Sequence, residues 1–111
     1  MLTTDTVGNI LIAKIHSNRL DAESIFNFKQ ELVPQIKAPI NMIILNLAEV
    51  TFIDSSGLGA IVSVKKVMGN SGGLVITMPQ KSVNTMFRLT RMDKIFKIFN
   101  TDEEALAYLK H

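Results

Sequence analysis

The chain has 111 residues, and 12 lysines and arginines against 10 aspartates and glutamates leave a formal charge of +2. That length suits one domain over residues 1–111, and 47% apolar with 20% charged residues is enough for a packed core and excludes a disordered chain. The lack of cysteine excludes disulfides, thiolate metal sites and a thiol nucleophile, and two histidines far apart leave few metal ligands, so no cofactor is implied.

The first residues carry an acid where a signal peptide carries bases, and no apolar run approaches the roughly 18 residues of a membrane helix. A soluble cytoplasmic protein with no membrane contact is expected. A short first strand at Leu2 to Thr4 leads through Gly8 and Asn9, residues that accept positive φ, into the β-branched strand ILIAKI at 10–15. Asp21 is placed to cap a helix over 22–33, where Ala22, Ile25, Phe26, Phe28, Leu32 and Val33 follow helical spacing and Pro34 and Pro39 mark its end. NMIILN at 41–46 reads as a central strand buried on both faces. The stretch from Leu47 changes from strand-like to helical period, and Gly69 to Gly73 ends that helix. A strand at Leu74 to Met78 follows. The next helix, KSVNTMFRL, has Val83, Met86, Phe87 and Leu89 on its buried side, and IFKIF at 95–99 reads as the last strand. Thr101 and Glu104 form the T-x-x-E capping box of a final helix, DEEALAYLK. This alternation implies an α/β fold: a mixed, mostly parallel sheet of four to five strands covered by about four helices.

The segment most able to carry chemistry is FIDSSGLG, Phe52 to Gly59, at a handover from strand to helix, where α/β proteins keep their sites. A hydroxyl there lies beside unpaired helix amides, which favour a phosphoryl group. Asp and Ser are also the commonest helix caps, so Asp54-Ser55-Ser56-Gly57 alone does not separate capping from chemistry. Three catalytic readings fail on spacing. A hydrolase elbow needs Gly two residues before its nucleophile, but Asp54 precedes Ser56 and Ile53 precedes Ser55 at that distance. A phosphoacceptor aspartate of the receiver type is paired with acids after the first strand, and KIHSN has none. GNSGG runs into Leu74 and Val75 without the Lys-Ser/Thr of a P-loop.

On a helical wheel the apolar positions after Leu58 span about 220°, more than the ~100° needed to lie on a sheet. The surplus around Ala60, Val64 and Val67 must meet another helix or a partner protein. A docking surface is expected on its exposed side, with Lys65 and Lys66 at the rim. Between Lys65 and Lys97 seven basic residues (Lys65, Lys66, Lys81, Arg88, Arg91, Lys94, Lys97) oppose one acid, Asp93, a local +6. That half of the chain could face solvent or meet an acidic partner. Direct nucleic-acid binding is not expected, because the whole chain is only +2 with no Trp and one Tyr. His16 reads as a structural histidine and the methionines as core filling.

The run IILNLAEVTFIDSSGLGAIVSVKK resembles the signature of the STAS domain, in particular the bacterial anti-sigma factor antagonists, and the likeness extends loosely over nearly the whole chain. One departure is Asn18 in N-R-L-D, where the family commonly has Gly; Asn also tolerates left-handed angles. The resemblance implies a STAS-like fold and a phosphorylation-controlled binding module, not an enzyme. Its implied partner is an anti-sigma factor that is also a serine kinase. The unphosphorylated protein binds it and frees the sigma factor, phosphorylation of Ser55 ends binding, and a metal-dependent serine phosphatase restores it. By the same likeness Asp21, Asp54, Ser56, Gly57 and Leu58 flank the docking surface. The alternative implied is a STAS scaffold or adaptor subunit of a stress-sensing or chemotaxis-linked complex.

Overall fold

The structure, a computed structural model, describes residues 1–110. Strands β1 (Leu2–Val7) and β2 (Ile10–Ile15) form an antiparallel hairpin closed at Gly8, whose φ of 61° only a flexible turn residue adopts easily. The first strand thus runs to Val7, beyond the expected Thr4, because the hairpin partner pairs with all of it. The two-residue β3 (Arg19–Leu20) precedes α1 (Ile25–Leu32). The helix starts later than the expected residue 22. Asp21 and Ser24 instead close a turn reciprocally, Asp21 N–H donating to Ser24 Oγ at 3.0 Å and Ser24 N–H to Asp21 Oδ1 at 3.3 Å.

The chain continues through β4 (Met42–Asn46), β5 (Phe52–Ile53), α2 (Ser55–Met68), β6 (Gly73–Thr77), α3 (Lys81–Leu89), β7 (Ile98–Phe99) and α4 (Asp102–Leu109). Its main sheet has the order β1-β2-β4-β6-β7, parallel except at the hairpin, while β3 and β5 pair in parallel as a separate ribbon. The mixed, mostly parallel five-stranded sheet with four helices is the architecture expected from the alternation. β4 is central, and Ile43, Ile44 and Leu45 are all fully buried, so both faces of the sheet are covered.

The two faces are covered unequally. On one, Leu11, Ala13, Ile43, Leu45, Leu74 and Ile76 meet α1, α2 and α3 in a cluster of 21 buried residues. On the other, α4 closes over Ile10, Ile44 and Val75 with Ala105, a buried cluster of 4. What orients α4 is polar: Asp102 accepts from Thr77 Oγ1 at 2.5 Å and from Asn46 Nδ2 at 3.1 Å, while Thr101 Oγ1 caps the helix at Glu104 N–H, 3.0 Å.

Two expectations about the last third are corrected. Leu89 is 75% exposed, because the final turn of α3 projects past the layer that buries Val83 and Phe87. Of IFKIF only Ile98 and Phe99 pair; Met92 to Lys94 coil into a short 3-10 turn after Arg91, whose left-handed φ of 61° reverses the chain. Phe96 then inserts edge-on against Phe87, with ring centroids 6.3 Å apart.

Candidate functional site

The candidate site is built where α2 begins. Asp54 is extended and caps α2, its Oδ1 accepting from Gly57 N–H at 2.9 Å. Leu58 N–H donates to the Asp54 carbonyl at 3.0 Å and starts the helical ladder. Ser55 is the first residue of α2 and exposed, and Ser56 is half-buried. Their amides precede the first intrahelical acceptor, so the helix presents donors and the positive end of its dipole beside the Ser55 hydroxyl.

The position of this terminus is set by contact with the β3 backbone. Asp54 N–H points at the Leu20 carbonyl, 3.4 Å away, and a Cβ added to Gly57 would stand 2.1 Å from that same oxygen. Only glycine allows so close an approach. Residues 19–21 and 52–57 are thereby held as one unit. Within it Arg19 stacks on the Phe52 ring, 4.4 Å from its centroid, and its Nε donates to Asp21 Oδ2 at 2.7 Å. The Arg19 hydrogen bond holds the Asp21 carboxyl below its usual range, against the opposing effect of burial and with further help from the Ser24 and Glu23 amides.

The residues expected to flank a docking surface separate into two groups. Ser55, Ser56 and Asp54 lie at the surface, and Lys65 and Lys66 are at least partly exposed near the far end of α2. Gly57 and Leu58 are buried, so they shape the terminus without offering a side chain. Asp21 is only 8% exposed and presents itself through the Arg19 it pairs with, whose side chain is 55% exposed. The placement of Val64 on an exposed docking face is corrected. Val64 is 0% exposed and Ala60 2%, because α1 lies beside α2 on the same face of the sheet and its Phe28 and Leu32 join the same cluster. The apolar surplus of the wheel is therefore helix-to-helix packing, and of its three members only Val67, 53% exposed, reaches solvent.

Arg19 and Phe52 were not singled out by sequence reasoning. Their signal was the strand-like alternation that buries Ile53 and so turns Phe52 outward, but the pairing partner 33 residues away is invisible locally.

Replacing Asp54 by alanine removes a cap and is expected to cost about 1 kcal/mol in urea unfolding, while Asp54→Asn retains most of it. Equal losses in both would mean that the charge, not the cap, does the work.

The sequence profile of the STAS domain matches residues 1–105. The chain belongs to the STAS-domain family. It is 34% identical over 96 residues to a Thermotoga maritima protein named "Putative anti-sigma factor antagonist", an alignment covering 85% of each chain. A crystal structure of a T. maritima protein of that name superimposes with a TM-score of 0.87 at 30% identity, covering 99% of this chain and 95% of the other. The fold is also that of the Bacillus anti-sigma factor antagonist SpoIIAA. The unphosphorylated form matches at 18% identity with a TM-score of 0.82, covering 99% and 96% of the two chains. The phosphorylated form matches at 17% and 0.74, covering 98% and 99%. Among the described residues no helix of this STAS domain is long and apolar enough to cross a membrane.

Proposed function

We propose that this STAS domain is an anti-sigma factor antagonist that works in the cytoplasm by partner switching, as a binding module without a catalytic step of its own. In its unphosphorylated form it binds an anti-sigma factor that is also a serine kinase, and the sigma factor is released. Phosphorylation of Ser55 ends that binding, and a metal-dependent serine phosphatase restores it. The observation that carries the reading is Ser55 itself, exposed as the first residue of α2 in an intact Asp-Ser-Ser-Gly whose frame Asp54 and Gly57 fix. The likeness to named antagonists supports it.

The physics of the switch needs no refolding. Phosphate adds roughly −1.5 to −2 charge, close to cancelling the chain's +2, and the helix terminus accommodates the anion. Against a partner carboxylate about 4 Å away it costs a few kcal/mol at an effective dielectric near 20. Since about 1.4 kcal/mol is tenfold in affinity, binding falls by hundreds-fold.

The test starts with partners captured from cytosol on unmodified protein, purified and supplied with ATP. Peptide mass spectrometry is expected to place the phosphate on Ser55, and Ser55→Ala to abolish it with the thermal melt unchanged. Calorimetry is expected to show Ser55→Ala binding the kinase as wild type does and Ser55→Asp binding it more weakly. Phosphate found only on Ser56 or Thr51, or equal binding by the phosphorylated and unmodified forms, overturns the proposal; recovery of large homologous assemblies instead of a kinase favours a scaffold.

A further inference from the structure

The cations between Lys65 and Lys97 form no ion pair among the described residues. The ion pairs among the described residues join the N-terminus to Glu31, Lys14 and His16 to Glu49, and Arg19 to Asp21; none uses this set. A local +6 left uncompensated repels itself and destabilises the fold. The structure gathers part of it around an apolar hollow. Val62, Lys65, Lys66 and Gly69 form one stripe at the C-terminal end of α2, and across from them stands Ile95, 50% exposed, next to Lys94 on the turn that Arg91 reverses. The hollow measures about 340 Å³ and is open to solvent.

We infer that this hollow is a second docking surface, and that it takes an acidic amphipathic helix of a partner protein. The hollow between Val62 and Ile95 receives a protruding leucine-like side chain, and carboxylates on the same helix meet Lys65 and Lys66, which line it, with Lys94 next in sequence to Ile95. A flat anionic membrane fits less well, since the surface here is concave and receives a single protruding side chain. Single-stranded nucleic acid fits less well too, because no aromatic residue lines the hollow for a base to stack on. Along α2 the hollow begins at Val62, about 10 Å from Ser55, and ends at Gly69, about 21 Å away. The hollow shares no lining residue with the Ser55 terminus, and the inference does not rest on the antagonist reading.

The probe is a synthetic amphipathic helix with glutamates on its polar face and leucines at helical spacing, titrated into isotope-labelled full chain. Amide shifts are expected at Val62, Lys65, Lys66 and Ile95, with affinity falling as salt rises from about 50 to 300 mM. Lys65→Glu with Lys66→Glu and Lys94→Glu is expected to weaken binding at least about tenfold, Ile95→Asp comparably, and Ser55→Asp not at all. All the substituted side chains reach solvent, and unchanged circular dichroism confirms the fold. Binding by a scrambled peptide of the same composition with equal affinity overturns the inference. So does shift mapping to another surface, or preferential uptake by phosphatidylglycerol vesicles or single-stranded DNA.

Discussion

Val64→Asp is expected to unfold the domain. The side chain is 0% exposed between α1 and the sheet, so the substitution forfeits about 1.5–3 kcal/mol of apolar burial and leaves an unpaired buried carboxylate worth a further 3–5 kcal/mol or so. Domains of this size hold only about 5–15 kcal/mol in all. Loss of the cooperative thermal transition and collapse of methyl shift dispersion are the expected readouts. Val64→Ala, which leaves a small cavity, is expected to fold with a melt lowered by a few degrees. A Val64→Asp protein that melts within a few degrees of wild type would restore Val64 to the surface.

Gly57→Ala is expected to lower the thermal midpoint by about 5–15 °C. Its new Cβ would lie 2.1 Å from the Leu20 carbonyl oxygen, 2.9 Å from the carbonyl carbon and 2.9 Å from Ile53 Cγ1. Two of these are backbone atoms, so no rotamer relieves the contact, and α2 must shift away from β3 at a cost of about 1–3 kcal/mol or more. Gly59→Ala, two residues on, is the control: nothing lies within 4 Å of its Cβ, and alanine is expected to stabilise the helix by about 0.5–1 kcal/mol. Opposite signs at neighbouring glycines of one helix separate the steric requirement from helix propensity. Equal shifts would refute the close approach.

What could be read from the sequence was what neighbouring residues decide. The Thr101 cap, the glycine hairpin and the doubly buried Ile43 to Leu45 run are local signals, and each stands where expected, while at α2 Asp54 takes the capping role that the motif left open between it and the serines. The wheel of α2 went wrong at Val64 because it weighed an apolar arc against a single sheet, whereas α1 covers its second flank. The start of α1 slipped because Asp21 caps a separate turn that resembles a helix entry. β3 could not be seen at all: two rungs against Phe52 and Ile53 leave no periodicity to detect. At the site, Ser55 and its cap were legible as a motif, but the Arg19, Phe52 and Asp21 contacts depend on that same nonlocal ribbon.

The unequal covering of the sheet has a consequence for how the molecule breathes. Peeling α4 away uncovers a cluster of only 4 buried residues and gives up the hydrogen bonds of Asp102, whereas separating α1 or α2 opens a cluster of 21. Local opening draws on whichever unit buries least, so α4 amides exchange with solvent through a partial unfolding well below the global free energy. Deuterium enters the domain first from the α4 side, while the amides of α2 beyond its first turn wait for the whole chain to unfold.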